Sequence, residues 1–349
     1  MATIKDVALQ ARVSVTTVSH VVNGTRHVSA EGRARVEQAI RALGYVPSAV
    51  ARSLKSNTTA TLGMLIPNSS NPYFAEIVRA VEDRCFGAGY TLLLCNTDDE
   101  PHRQSVYLQV LAERRIDGLV VVSTGDDDSL VRQLDGLRIP TVLVDREIAD
   151  PHCDLVETAH LQGGLLAVRH LRALGHRRIA CIGGTPGLTP SEQRIEGWRM
   201  ALAEGDAPQT ADESLLWRGG FTSQGGYEAM QALLRTAERP TAVFVCNDLM
   251  AIGALRAAHE AGVPVPEALS VVGFDDIELA AFTSPPLTTV AQPKGEIGAL
   301  AVDMLLERIG GHRREPRKVM LQPALRVRAS TAPCAQQRPG SATPPAPRS

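Results

Sequence analysis

The segment "IKDVALQARVSVTTVSHVVNG" (Ile4–Gly24) contains two short helical patterns separated by a tight turn. Its apolar residues recur every three or four positions, which is the spacing of an amphipathic helix. Ser14 is well placed to cap the second helix, and Asn23-Gly24 is a strong stop signal. Two helices joined this tightly are typical of a helix-turn-helix. Ile4, Val7, Ala8 and Ala11 lie on one face of the first helix, and Val15, Val18 and Val22 recur at helical spacing in the second.

A third helix, "EGRARVEQAIRALGY", follows a second capping serine, Ser29, and Gly44 is a suitable C-cap. Residues 1–60 carry eight basic and three acidic residues, whereas the other 289 residues carry 28 basic and 35 acidic ones. A basic segment on an acidic body suggests a polyanionic partner. Short polar side chains on the second helix could reach base edges in the major groove of DNA. An ordinary three-helix bundle with a solvated charged face is the alternative.

Beyond residue 60, short apolar runs alternate with amphipathic helical stretches. Runs such as "TLGMLIP", "DGLVVVS" and "AVFVCND" have the length and β-branched content of buried strands. Repeated strand–helix units predict parallel sheets with helices on both faces. The remaining stretch to about residue 330 is too long for one such sheet of usual size, so we expect two lobes with a cleft between them.

Composition narrows the classes of function. The chain has 349 residues, of which 44% are hydrophobic, enough to form real cores and to exclude disorder throughout. It has no run of 18 apolar residues and no apolar secretory segment at its start, so we expect a cytoplasmic protein without a membrane span. The six cysteines lack CxxC spacing and are expected to be buried free thiols rather than zinc ligands or disulfides.

An enzyme is not expected, because the chain contains no GxxxxGK[ST], HExxH or GxSxG motif. His160, His170 and His176 are too irregularly spaced for a metal site, and surface or capping roles are expected for them. Neither a metal nor a cofactor is therefore predicted.

Three N-terminal motifs, "ATIKDVA", "VSVTTVSHVVNGTRHVS" and "GYVPSAVARSLKSN", resemble the DNA-binding head of the LacI/GalR family. Later segments such as "VFVCNDLMAIGAL" and "PPLTTVAQP" resemble the regulatory core of that family, to about residue 330. Arg12 departs from the pattern, because the family usually has glycine there. The resemblance implies an N-terminal all-α helix-turn-helix head and a periplasmic-binding-protein-like α/β core of two parallel-sheet lobes. It also implies a homodimer that binds double-stranded operator DNA.

The implied domain boundaries are those of a head, a hinge helix with its linker, and a regulatory core, at residues 1–46, 47–60 and 61–331. Lobes 1 and 2 of the core would each be built from two stretches, about 61–160 with 291–320 and about 161–290 with 321–331. The tail, residues 332–349, is rich in Pro, Ala and Ser and is expected to be disordered, so its deletion should leave stability unchanged.

The same resemblance implies which residues contact DNA. Val15, Thr16 and His20 occupy positions that discriminate bases. The residues expected to bind phosphates or to orient the helix on the DNA are Thr17, Ser19, Asn23 and Arg26. The hinge helix is too short to be stable alone, so it should fold only with its partner hinge and DNA. Leu54 would be a wedge inserted into a minor-groove step, with local packing as the alternative. The full expected set is Thr3, Ser14, Val15, Thr16, Thr17, Ser19, His20, Asn23, Arg26, Leu54 and Lys55.

Polar residues follow the ends of five predicted strands, which is where open α/β sheets bind ligands. Any one of them is more often a helix cap, but five at equivalent ends favour a shared site. Carboxylates, guanidinium groups and aromatic faces together suit a neutral sugar. The core most closely resembles that of ribose-operon repressors, and the implied ribose shell is Asn71, Tyr73, Phe74, Asp145, Arg146, Arg194, Phe221, Asn247, Asp275 and Gln292.

The nearest rival ligand is a purine. The purine-responsive relative uses an extra arginine in the loop before Arg194, and "GGTPGLTPSEQR" has no arginine before its last residue. We therefore expect a repressor of sugar-use genes, with ribose as the effector that closes the cleft and releases the operator. The alternative is a purine- or other sugar-responsive regulator with the ligand as corepressor. A transport binding protein would need an export signal and no DNA-binding head.

Leu54→Ala is expected to weaken operator binding strongly, because the energy of kinking the DNA is no longer offset by the inserted side chain. Sugar affinity should stay nearly unchanged. A gel-shift titration checks the first expectation, and equal operator affinity for the variant and the parent would contradict the wedge.

Overall fold

The computed structural model describes residues 2–46, 58–122, 127–145, 153–204 and 210–334. The chain divides into two compact units, residues 1–60 and 61–349. The expected hinge helix with Leu54 and Lys55, the expected ligand residue Arg146 and the tail from residue 335 all lie outside the described residues. No helix in the described ranges is long and apolar enough to cross a membrane.

The first unit contains three helices, α1 (Ile4–Ala11), α2 (Val15–Asn23) and α3 (Ala30–Leu43). Each helix begins at a hydroxyl side chain that accepts a hydrogen bond from a backbone N–H of its first turn, and these caps are Thr3, Ser14 and Ser29. Gly24 and Gly44 end the second and third helices in the left-handed conformation. Val7, Val18 and Val36 are fully buried between the helices. The predicted helix-turn-helix is confirmed.

The burial of two valines in α2 and the backbone conformation of Arg12 before it are visible only in the structure. Val15 shares the helical spacing of Val18 and Val22 but is 42% exposed, because it is the first residue of α2 and lies outside the three-helix core. Val21, one turn after Val18, is buried in its place. Arg12 adopts a φ of 53° at the end of α1 and is therefore in the left-handed region, which costs a non-glycine residue about 1 kcal/mol.

The second unit contains twelve described strands and eight described α-helices. The strands are β1 (Thr61–Ile66), β2 (Thr91–Asn96), β3 (Gly118–Val121), β4 (Thr141–Val144), β5 (Asp154–Thr158), β6 (Ile179–Gly183), β7 (Leu216–Arg218), β8 (Ala242–Val245), β9 (Ser270–Asp275), β10 (Thr288–Ala291), β11 (Lys318–Leu321) and β12 (Ala324–Arg326). The helices are α4 (Pro72–Gly87), α5 (Pro101–Glu113), α6 (Asp127–Leu137), α7 (His160–Ala173), α8 (Thr189–Ala203), α9 (Ser223–Leu234), α10 (Asp248–Glu260) and α11 (Lys294–Ile309).

These strands form two six-stranded sheets, one in each lobe. Lobe 1 has the strand order β11-β5-β4-β3-β1-β2, and lobe 2 has the order β12-β10-β9-β8-β6-β7. All pairings are parallel except that of β10 with β12. In lobe 1, Leu62 and Met64 of β1 face the cluster that includes α4 and α11, whereas Leu65 faces the cluster that includes α5 and α6. The expected two-lobed α/β core is confirmed.

The chain passes from lobe 2 to lobe 1 after β10 and returns between β11 and β12. One edge strand of each sheet, β11 in lobe 1 and β12 in lobe 2, therefore comes from the C-terminal part of the chain. The strands β5, β7, β11 and β12 were not predicted, because each has at most five residues and contains at least one charged residue. All six cysteines are free thiols and five of them are buried, as expected.

The segment Ala332–Cys334 corrects the prediction of a disordered tail from residue 332. The backbone N–H of Cys334 donates to the carbonyl of Leu174 at 2.8 Å, and Cys334 is buried. The carbonyl of Ala332 lies 3.0 Å from Nε2 of His176, which is itself buried rather than at the surface as expected. Composition could not reveal this segment, because its contacts are made largely by the backbone.

Ending the chain after Thr331 is expected to lower the free energy of unfolding of the core by about 2–4 kcal/mol, because several buried hydrogen bonds are lost. Ending it after Cys334 keeps these bonds and is the matched control, which should unfold like the full chain. Urea unfolding of the two truncated proteins checks this. Equal stability of both would show that Ala332–Cys334 contributes nothing.

Candidate functional site

Helix α2 presents the side chains that sequence analysis assigned to base contacts. Val15 and Thr16 are exposed and His20 is half-buried. Nδ1 of His20 lies 2.8 Å from the hydroxyl of Thr25. Its Nε2 has no hydrogen-bond partner among the described residues, so this nitrogen is available to a base edge.

Most of the other expected DNA contacts of the head are engaged in helix caps or local bonds, whereas Arg26 is exposed. Thr3 donates to the carboxylate of Asp6 at 2.8 Å and completes a capping box. The Ser14 hydroxyl accepts from the backbone N–H of Thr17 at 3.0 Å. The side-chain amide of Asn23 donates to the Ser19 carbonyl at 2.8 Å. These residues fix the helix ends, whose backbone N–H groups suit phosphate oxygens.

The second site is a cavity of about 440 Å³ between the two lobes of the core. Lobe 1 contributes the turn after β1, the start of α4 and the end of β4, and lobe 2 contributes the ends of β8 and β9 and part of α8. Eight expected ligand residues line it: Asn71, Tyr73, Phe74, Asp145, Arg194, Phe221, Asn247 and Asp275. Gln292 is buried but does not line the cavity.

Asn71 and Asn247 illustrate how strand ends build this cavity. Each asparagine follows a strand and caps the next helix: Oδ1 of Asn71 accepts from the N–H of Tyr73 at 3.0 Å, and Oδ1 of Asn247 accepts from Met250 at 2.9 Å. Both side chains nevertheless line the cavity. The two interpretations that the sequence left open, helix cap and ligand contact, are therefore compatible at these positions.

Arg194 is the central cation of the cavity. It lies within α8, which begins at Thr189, and is buried. Its Nη1 donates to the carbonyl of Cys246 at 2.6 Å and lies 3.7 Å from Oδ1 of Asp275. Its guanidinium also lies 3.8 Å from the ring centre of Phe274, which is cation–π distance.

His160, for which a surface or capping role was expected, is instead a buried residue that supports the site. Gly164 of α7 and Gly197 of α8 let these helices approach closely, since a Cβ on Gly164 would lie 2.4 Å from the carbonyl oxygen of Arg194. Nδ1 of His160 is 3.2 Å from Nη2 of Arg194, and Nε2 is 2.7 Å from Oδ1 of Asp145. His160 follows β5 as the expected residues follow their strands, but β5 itself was not predicted.

Tyr73 and Gln292 connect the two carboxylates of the site. The hydroxyl of Tyr73 donates to Oδ2 of Asp145 at 2.8 Å and lies 3.2 Å from Oε1 of Gln292. The amide of Gln292 donates to Oδ1 of Asp275 at 2.8 Å. Gln292 therefore orients Asp275 from behind the cavity wall, rather than forming part of the wall as expected.

Several residues of the site have a backbone conformation that L-amino acids rarely adopt. The φ angles of Asp145, Phe221 and Asp275 are 60°, 60° and 113°. Such strain costs about 1–3 kcal/mol per residue and tends to cluster at functional sites. The Phe221 ring also requires a glycine opposite it, because a Cβ on Gly184 would lie 2.1 Å from a ring carbon.

The two carboxylates differ in pKa. Burial alone would raise the pKa of Asp145, but the electrostatic interaction and hydrogen bond with His160, the positive charge of Arg194 and the hydrogen bond from Tyr73 lower it to about 2. Burial raises the pKa of Asp275 to about 6, against the lowering effects of Arg194 and of the Gln292 hydrogen bond. Asp145 is therefore ionised at neutral pH, whereas the carboxyl of Asp275 titrates near neutral pH.

Comparison with known proteins assigns both units. Residues 3–48 match the family described as bacterial regulatory proteins, lacI family, and residues 168–331 match a periplasmic binding protein-like domain. The ribose operon repressor of Escherichia coli (strain K12) is 44% identical over 331 residues, which cover 95% of this chain and 100% of that protein. The chain belongs to the lacI family.

Other lacI-family proteins match equally well. The HTH-type transcriptional repressor PurR of Edwardsiella ictaluri (strain 93-146) is 45% identical over 334 residues, covering 95% of this chain and 97% of that protein. The solved lac repressor dimer bound to operator and the anti-inducer ONPF has a TM-score of 0.86 and 30% identity, covering 95% of this chain and 99% of that one. The chain is thus a DNA-binding transcriptional repressor with an effector-binding core and not an enzyme, but the expected resemblance to ribose-operon repressors is matched by PurR.

The raised pKa of Asp275 predicts a pH dependence of stability. Its carboxyl holds a proton up to about pH 6 when folded and only to about 3.8 when unfolded, so stability should fall as pH rises through this window. Asp275→Asn removes this titration. Between pH 4 and pH 7, the free energy of unfolding of the parent should fall by about 2–3 kcal/mol relative to that of the variant. Chemical unfolding of both proteins measures this difference. Parallel pH profiles would contradict a buried, protonated Asp275.

Proposed function

We propose that this lacI-family protein represses genes for the use of a pentose, with ribose the first candidate, and leaves its operator when the sugar binds between the lobes. The observation that carries this proposal is the cavity lined by Asp145, Asp275, Arg194 and the rings of Phe74 and Phe221. Carboxylates accept from hydroxyl pairs, the guanidinium donates to sugar oxygens, and aromatic rings cover C–H faces.

The wall formed by the segment before α8 favours a sugar over a purine. The lining residues from this segment and the first turn of α8 are Thr185, Leu188 and Pro190, all uncharged. Arg194 is the only cation among the described residues that line the cavity. The purine-responsive relatives are expected to place a second arginine in this segment. A purine corepressor remains the second candidate, because a PurR protein matches this chain as closely as a ribose operon repressor does.

The proposal for DNA binding places α2 in the major groove. Val15, Thr16 and His20 would read base edges, and the helix caps would hold phosphates. A homodimer would present two heads to a pseudo-palindromic operator. The solved lac repressor supports this arrangement, since it is a dimer bound to its operator.

The proposed mechanism follows from the position of the cavity. A sugar that contacts Asp145 on lobe 1 and Arg194 on lobe 2 is bound more tightly when the lobes close on it. Binding therefore shifts the protein toward a closed arrangement, as any ligand does toward the state it prefers. That closed arrangement would separate the hinges of the dimer and lower operator affinity.

Arg194→Ala is expected to weaken ribose binding by about one to two orders of magnitude, because hydrogen bonds to charged groups contribute about 1.5–3 kcal/mol. Operator affinity without sugar should survive. The matched control is Arg199→Ala on the same helix, whose guanidinium pairs with Glu213 outside the cavity. Calorimetry with ribose, other sugars and purines checks the affinities. Unchanged ribose binding in the Arg194 variant would contradict the assigned site.

The sign of the coupling is tested on the parent protein. Effector and operator affinities are linked, so an inducer must bind more weakly when operator DNA is present. Titration of ribose with and without DNA should show this weakening. Tighter binding on DNA would make ribose a corepressor, and absence of binding would remove ribose as the effector.

A further inference from the structure

Lys294, the first residue of α11, is a buried ammonium that the proposed sugar shell does not use. Its side chain is only 9% exposed. Lysine is almost never buried unless its charge is paired. Its Nζ donates to the backbone carbonyls of Asp275 and Asp276, both at 2.6 Å, and lies 3.1 Å from Oε2 of Glu76.

These contacts connect the two lobes. Lys294 and Glu76 belong to α11 and α4, which pack against each other in lobe 1. The two carbonyls belong to the end of β9 in lobe 2. Oε1 of Glu76 also accepts from the backbone N–H of Glu278 at 3.2 Å. The Glu76–Lys294 pair therefore holds three backbone atoms from the opposite lobe, one at the end of β9 and two in the residues that follow it.

The backbone that Lys294 holds is strained. Asp275 and Asp276 have φ angles of 113° and 54°, both in the region that favours glycine. Such conformations persist only where surrounding contacts enforce them. The direction of the Asp275 carboxylate into the cavity depends on this backbone, so it depends on the ammonium of Lys294.

We propose that Lys294, held by Glu76, is a positioning residue for the effector site. It orients the Asp275 carboxylate by fixing the backbone carbonyls of Asp275 and Asp276. Because Lys294 belongs to the other lobe, the orientation of this carboxylate depends on how the two lobes are arranged. Effector binding and lobe closure are coupled through this contact. The inference rests on the proposed function only in that the effector binds in the interlobe cavity.

Three variants test the proposal. Lys294→Met removes the ammonium while retaining an unbranched side chain, and Glu76→Gln removes only its charged partner. The control is Arg84→Met, because the ion pair of Arg84 with Asp303 joins the same two helices without touching β9. In calorimetry with ribose, we expect at least a tenfold loss of affinity for Lys294→Met, a smaller loss for Glu76→Gln and less than a twofold change for Arg84→Met.

A pH series separates positioning from a general loss of structure. Lys294 and Arg194 favour the ionised form of Asp275, whereas burial and Asp145 oppose it. Without the ammonium, Asp275 should take up its proton at higher pH, so Lys294→Met should lose ribose affinity more steeply than the parent between pH 7.5 and 6. In an Asp275→Asn background this difference should disappear. The other charged or titratable groups coupled to Asp275 are Asp248 and Tyr73.

Hydrogen exchange without any effector gives a readout that does not depend on the ligand. Peptides covering residues 270–280 should exchange at least tenfold faster in Lys294→Met, and less so in Glu76→Gln, while Arg84→Met behaves like the parent. If ribose fails to bind the parent but this exchange difference is present, the ligand assignment is wrong and the positioning role stands. Parent-like exchange and parent-like ribose affinity in both Lys294→Met and Glu76→Gln would overturn the role of Lys294.

Discussion

Charges buried beneath the interlobe cavity have to be balanced, and the rest of the core is arranged to balance them. An ionised carboxylate or guanidinium removed from water costs several kcal/mol unless partners replace its hydration. Asp145 is held by Tyr73 and His160, and Arg194 donates to a backbone carbonyl and lies near Asp275. Because these partners come from both lobes, charge balance requires the lobes to meet at this place.

The same requirement explains why the site is polar yet well defined. Parallel strands end at one edge of each sheet, so residues that are far apart in the chain converge there. Strained backbone at Asp145, Phe221 and Asp275 then turns these side chains toward the cavity. A neutral ligand with several hydroxyl groups suits a cavity whose own charges are already paired, because it can add hydrogen bonds without leaving a new charge unpaired.

The head follows a simpler rule, in which almost every determinant is local. Capping hydroxyls precede the three helices, glycines end two of them, and a few valines close a small core. The side chains of Val15 and Thr16 at the start of α2 stay exposed in this arrangement. The one local conflict is Arg12, whose left-handed backbone departs from the preference of the residue, and the surrounding turn nevertheless retains it.

The periodicity and caps predicted the two-lobed fold and the helix-turn-helix, and the strand ends pointed to Asn71, Asp145, Asn247 and Asp275, because these signals are short in range. The other four expected residues that line the cavity, Tyr73, Phe74, Arg194 and Phe221, were implied by the family resemblance. The roles of His160 and Lys294, the carbonyl partner of Arg194 and the packing of Ala332–Cys334 could not be predicted in this way. Each depends on partners more than 15 residues away in the chain, on helices that approach at glycines, or on backbone carbonyls. Carbonyl groups are the same at every position of a sequence, so only the folded chain shows which of them a buried cation will meet.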